Sequence, residues 1–144
     1  MDWNEIRTTD DVDYFNTLVS LFNESYLKEL CFVSGNYVSE DLKLQECNEP
    51  IARLLFQSKW GNPSVIEMEF REILQINIKP SAKEDGSIIF DAPLHAINDI
   101  FYWNSNDVLF REDRKVDYTW IAAKQVFWRI REGLLGNKKT YFPD

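Results

Sequence analysis

The chain holds one histidine, two cysteines, five glycines and five prolines in 144 residues. Each scarcity closes a route. With His95 alone, any serine–histidine–acid relay would have to run through that residue, and no serine sits in a nucleophile-elbow pattern. Cys31, Cys47 and His95 stand far apart, without the paired spacings of zinc sites, so no metal and no cofactor is expected. The glycines are scattered, which excludes a glycine-rich phosphate loop. So few glycines and prolines also argue against long flexible linkers. No apolar run approaches the roughly 20 residues that span a bilayer as a helix. The N-terminus lacks a basic region followed by an apolar stretch and a small-residue cleavage motif. The expectation is a cytoplasmic protein in which Cys31 and Cys47 are free, packed thiols, although an oxidising compartment would allow them to pair.

What is present is a globular composition, with 44% hydrophobic and 15% aromatic residues and five tryptophans spread along the chain. A chain of this size forms one ordinary domain and buries roughly 68–70% of its unfolded surface, so its core needs no staples. The net charge is −8. Residues 1–72 hold six basic against fourteen acidic side chains, whereas residues 73–144 hold ten of each, so the whole excess lies in the first half. Such a surface repels nucleic acid and anionic lipid. Its plainest role is solubility. A basic protein partner would be steered toward it.

The clearest periodicity spans residues 66–78. Ile66, Met68, Phe70, Leu74, Ile76 and Ile78 share one register of two, and Glu67, Glu69, Arg71, Gln75, Asn77 and Lys79 share the other. This alternation marks a strand with one face on a core. Glu72 and Ile73 break the pattern, which predicts a bulge near residues 71–73. Upstream, Tyr14, Phe15, Leu18, Val19 and Phe22 recur at helical spacing. They predict a helix over about 10–22, capped by Thr9 with acidic residues in its first turn. Extended segments follow, punctuated by Ser34-Gly35-Asn36, Asn48-Glu49-Pro50, Gly61-Asn62-Pro63-Ser64, Lys83-Glu84-Asp85-Gly86, Asn98-Asp99 and Asn104-Ser105-Asn106-Asp107. Leu42 and Leu44 alternate with Lys43 and Gln45, and Ile88, Phe90, Ala92, Leu94 and Ala96 share one parity. Residues 118–130 end in aromatic and β-branched side chains and read as a strand. The expected fold is α+β: one domain over 1–144, with an N-terminal helix packed on a mainly antiparallel sheet of about seven or eight strands, in a sandwich or open barrel. The polar tail, about 133–144, is expected to be loosely held.

Three constellations carry some chemistry. Glu67 and Glu69 lie two residues apart on one strand face, and Glu72 falls on the inward register. A buried carboxyl beside a second one could run glycosidic hydrolysis. The plainer reading puts Glu67 and Glu69 on the wet side of a strand, with Glu72 at a bulge beside Arg53 or Arg71. His95, on the outward parity beside Pro93, is a candidate base or a rim histidine. Phe101, Trp103, Trp120 and Trp128 are candidate binding residues if their rings are exposed, and core residues if the sheet is covered on both faces.

Phe22-Asn23-Glu24-Ser25, Val33-Ser34-Gly35-Asn36-Tyr37-Val38, residues 62–70 and Trp120-Ile121-Ala122-Ala123 leading to Trp128-Arg129 together resemble a group of small uncharacterised bacterial proteins. In that group the first motif often carries His-Asp after the phenylalanine. Here Asn23-Glu24 stand in those places, which tells against a catalytic or metal site there. The resemblance implies a bacterial cytoplasmic protein. By analogy, small acidic proteins of this kind include immunity factors that plug basic toxins. The leading functional expectation is therefore a non-enzymatic binding protein, possible in a sharper form as an inhibitor of a basic toxin. The alternatives are a carboxylate-dependent hydrolase and a subunit covered by a copy of itself.

Overall fold

In the computed structural model, residues 2–60, 62–80, 87–106 and 118–142 are described. The expected turn at residues 83–86 and the charged loop at 111–117 lie outside them, as do Gly61 and Asp107 of two further turns.

The helix α1, Thr9–Leu18, begins one residue earlier than its spacing predicts, because Thr8 rather than Thr9 is the cap. Thr8 Oγ1 accepts the Asp11 N–H at 3.1 Å, and the Asp11 carboxylate accepts the Thr8 N–H at 3.0 Å. This reciprocal box satisfies two backbone donors that the first helical turn leaves open. The helix stops at Leu18. Ser20, Leu21 and Phe22 then take left-handed backbone angles, φ 52–56°, in a short 3-10 turn. That reversal swings Phe22 inward, where it stacks on Phe56 at 4.1 Å and meets Phe15 edge-on at 5.8 Å.

Among the described residues there are nine strands: β1 Asn4–Ile6, β2 Ser25–Val33, β3 Tyr37–Val38, β4 Leu44–Gln45, β5 Ile51–Ser58, β6 Val65–Asn77, β7 Leu94–Ile97, β8 Ile100–Asn104 and β9 Trp120–Ile130. Seven form one antiparallel sheet in the order β2-β5-β6-β9-β8-β7, with β1 also on β9. One flank of β9 is shared: β8 pairs with residues 120–123 and β1 with residues 126–128. β3 and β4 form a separate two-stranded ribbon. The architecture is thus α+β, a helix on a mainly antiparallel, unclosed sheet. No helix among the described residues is long and apolar enough to cross a membrane.

The core lies between the helix and one sheet face. Val12 and Phe15 of α1, and Val19 just past its end, share one core with Leu54 and Phe56 of β5, Ile66, Met68 and Phe70 of β6, and Val126 and Trp128 of β9. The parity expected for β6 therefore holds through Phe70. Beyond it Glu72 turns left-handed, φ 51°, and the register with β9 shifts between Ile73 and Gln75, so the strand restarts where the alternation fails. The segment before β7 departs from expectation. Ile89 is buried, Ile88 and Phe90 are exposed, and the strand starts only at Leu94. Ile89 forms an isolated bridge with Ser25, and Pro93 has no N–H to give a ladder.

The described part of the tail, as far as residue 142, makes contacts with β2, β5 and β6. Gln57 Nε2 donates to the Leu134 carbonyl at 2.9 Å, and Tyr141 and Leu134 pack on Leu55 and Val65. Glu29 holds its end by accepting the Thr140 hydroxyl and the backbone N–H of Tyr141 and Phe142. Burial pushes the Glu29 carboxyl up, but these three hydrogen bonds and nearby Lys28 together hold it below its ordinary value. A depressed carboxyl lends stability above its unfolded value and loses it as pH falls through the folded one. The protection of the Tyr141 amide against hydrogen exchange is therefore expected to fall in acid. In Glu29→Gln, tryptic cleavage after Lys138 or Lys139 should speed up by about tenfold, the loss of roughly one charged hydrogen bond.

Candidate functional site

The outer face of the sheet is charged where a second apolar layer would otherwise sit. Register dictates how. Glu69 on β6 lies directly opposite Arg53 on β5 and Phe127 on β9, and Glu67 lies opposite Leu55 and Arg129. Glu69 is 3% exposed; its Oε1 accepts Arg53 Nε at 2.9 Å and its Oε2 accepts Arg71 Nε at 2.6 Å. Arg71 also lies over the Phe127 ring at 4.0 Å. Glu67 is fully buried, and its Oε1 accepts both Arg129 Nε at 2.9 Å and Arg131 Nη1 at 2.6 Å. Arg129 lies over the Trp3 ring at 4.2 Å. Glu67 Oε2 is buried without a hydrogen-bond partner among the described residues, 4.0 Å from Arg53 Nε. Buried carboxylates survive only when paired in this way.

Glu67 and Glu69 are therefore not on a wet strand face. Glu72 is exposed at the bulge. It lines an open groove of about 720 Å³ together with Trp3, Pro50, Arg53, Glu69 and Arg71. Two of the three candidate carboxyls thus share a concavity with an aromatic wall. Both oxygens of Glu69 are already occupied by guanidinium N–H groups, and Glu67 is sealed beneath. His95 is half-buried on β7 opposite Tyr102, away from these carboxyls in the sheet order. Among the described residues no group of three or more His, Cys, Asp or Glu could hold a metal ion. Cys31 and Cys47 are free.

The aromatic candidates are corrected together. Phe101, Trp103, Trp120 and Trp128 are all buried, so none offers a ring to a partner. Trp103 is wholly enclosed, edge-on to Phe56 at 5.1 Å, with Nε1 donating to the Ala92 carbonyl at 3.0 Å. Phe101, Trp103 and Trp128 belong to the single core between the helix and one sheet face.

The exposed apolar surface is elsewhere. Phe32 and Val33 at the end of β2, Tyr37 and Val38 on β3, and Leu42 and Leu44 all face water, the last two at 83% exposure each. The β3–β4 ribbon that carries four of them is firmly built. Ser39 N–H donates to the Lys43 carbonyl at 2.9 Å, Leu42 N–H to the Ser39 carbonyl at 2.8 Å, and Cys47 N–H to Asn36 Oδ1 at 2.7 Å. Leu42 stands at its tip in the left-handed region, φ 65°, a conformation that suits glycine or asparagine and not leucine. Glu40, Asp41, Glu46 and Glu49 lie within seven residues of it in the sequence, against Lys43 alone. A strained, exposed leucine among acids is the kind of local inconsistency that accompanies a working surface. Sequence reasoning put Leu42 and Leu44 in an alternating strand without asking what would cover them. The short span between the Ser34-Gly35-Asn36 turn and the Asn48-Glu49-Pro50 break was the available signal, since so brief a hairpin has no second layer within reach.

These features define a helix-on-sheet domain with a sealed ionic face and an exposed apolar, acidic ribbon. No protein-family model matches the chain, and no curated protein or solved structure matches it either.

Proposed function

We propose that this is a non-enzymatic binding protein whose partner is a basic protein, engaged through the ribbon formed by β3 and β4. The observation that carries the reading is that Phe32, Val33, Tyr37, Val38, Leu42 and Leu44 are all exposed within residues 32–49, a stretch that holds four acidic side chains against one lysine. Contiguous exposed apolar surface marks interaction sites, and the acids would steer a cation-rich partner onto it. The immunity-type inhibitor of a basic toxin is the sharper form of this reading, in keeping with the resemblance to small bacterial proteins and with a cytoplasmic setting. The hydrolase reading draws support only from the groove beside Glu69 and Glu72, and there one of the two carboxyls is already committed to Arg53 and Arg71.

The test is affinity capture from the native host, with the wild-type chain beside a Leu42→Asp, Leu44→Asp variant. A basic protein should be retained at low salt, weakened at about 0.5 M salt, and lost at least about tenfold in the variant. Retention of no basic protein, or retention indifferent to the variant, overturns the proposal.

A further inference from the structure

The groove beside the ionic network crosses three strands. Ile51, Arg71 and Gln125 are register partners along β5, β6 and β9, and all three line it. β1 adds a further wall. Asn4 pairs with Trp128, so Trp3 comes to stand by Arg129, whose guanidinium lies over its ring at 4.2 Å. Trp3, Pro50 and Ile51 are half-buried and give the groove an apolar side. Its volume of about 720 Å³ falls in the range of small-molecule sites, roughly 300–1,000 Å³. The polar side is Arg53 and Arg71. Both donate Nε to Glu69, at 2.9 and 2.6 Å, which leaves the N–H groups on the Nη atoms of each for other acceptors. Neither is a freely swinging surface arginine. Arg53 Nε also lies 4.0 Å from the buried Glu67 Oε2, and Arg71 is laid on Phe127. The network sets four guanidiniums against two carboxylates, a surplus of positive charge in a chain whose net charge is −8. Guanidiniums fixed in place bind a carboxylate through paired N–H groups with little further loss of freedom.

We propose that this groove binds a small carboxylate with a flat apolar body. The carboxylate meets Arg53 and Arg71, and the body lies against Trp3, Pro50 and Ile51. Glu49 and Glu72 limit the charge of the ligand. Both are exposed and both line the groove, so a second negative charge on the ligand meets them, and phosphate or a dicarboxylate is the poorer occupant. Glu69 acts as a positioning residue, since its two oxygens hold both guanidiniums. The site is one of binding and involves no reaction. It does not depend on the basic-partner reading of the ribbon.

The probe is cinnamate, titrated into the whole chain beside neutral cinnamamide and the dianion terephthalate. The Nε–H signals of Arg53 and Arg71 and the indole N–H of Trp3 are followed by nitrogen–proton NMR. Cinnamate should move all three signals along one saturation curve and bind at least about tenfold more tightly than either of the others. Arg71→Gln should weaken its binding at least about tenfold while the amide spectrum of β5, β6 and β9 is otherwise kept, and Trp3→Ala should do likewise. The comparison of ligands uses the unaltered chain, so it decides the matter even where a variant fails to fold. No saturation by about 10 mM cinnamate, equal binding of cinnamamide, or shifts that leave the three groove signals in place overturns the site. Terephthalate bound as tightly as cinnamate overturns the choice of a singly charged ligand.

Discussion

Glu67→Ala is expected to lower the free energy of unfolding by about 3–5 kcal/mol, read as a drop in the urea midpoint. A domain of this kind commands only about 5–15 kcal/mol in total, so the loss is about a fifth or more of it. The size follows from what stays behind. Glu67 Oε1 neutralises Arg129 and Arg131 at once, and those guanidinium-bearing side chains are only 16% and 17% exposed. Without the carboxylate, two positive charges face each other with little water. Glu69→Ala should cost less, because Arg53 and Arg71 are 30% and 41% exposed and can turn outward. Replacing Glu67, Arg129 and Arg131 together with leucine or methionine should bring stability back to within about 1 kcal/mol of the parent or above it, since burying an ion pair earns little over a well-packed apolar core. A single Glu67→Ala variant as stable as the parent would show that this face is solvated.

Trp103→Ala is the second large effect, at about 3–5 kcal/mol by thermal or urea unfolding. Trp103 has no exposed surface and lies edge-on to both Phe22 at 6.3 Å and Phe56 at 5.1 Å. Truncation leaves a cavity among large rings and strips the buried Ala92 carbonyl of its donor. Trp103→Phe keeps most of the volume and should cost about 1–3 kcal/mol, mainly for the unpaired carbonyl. Affinity for a partner should be the same in any Trp103 variant that folds. A change in binding without a change in stability would return this ring to the list of contact residues.

How far the sequence carried this structure depended on whether the pattern had a single physical cause. The β6 alternation, the strand reading of residues 118–130 and the Asn98-Asp99 turn were legible, because period two and left-handed turn residues, here φ 51° and 65°, follow from backbone geometry alone. Glu67 and Glu69 were located on the correct face but assigned the wrong environment. Alternating charge looks the same whether the charged face meets water or arginines on neighbouring strands. Arg53, Arg129 and Arg131 become its partners only once β5 and β9 flank β6. The aromatics failed for a similar reason, since one stretch of chain cannot show which rings the helix will cover. The contacts of the tail were not legible, because Glu29, 111 residues upstream of Thr140, and Gln57 reach it across the sequence, and composition does not encode such contacts.

Residues 4–6 find their seat on β9 only beside Val126, Phe127 and Trp128. Asn4 reaches the Trp128 carbonyl, at 3.3 Å, across 124 positions of sequence. On a ribosome adding about 5–20 residues per second, residues 4–6 must wait on the order of ten seconds for their groove to be synthesised. Until then the flank of β9 that they cover does not exist, and afterwards that flank stays bare until β1 returns to it. β1 is thus made long before it can be put in place.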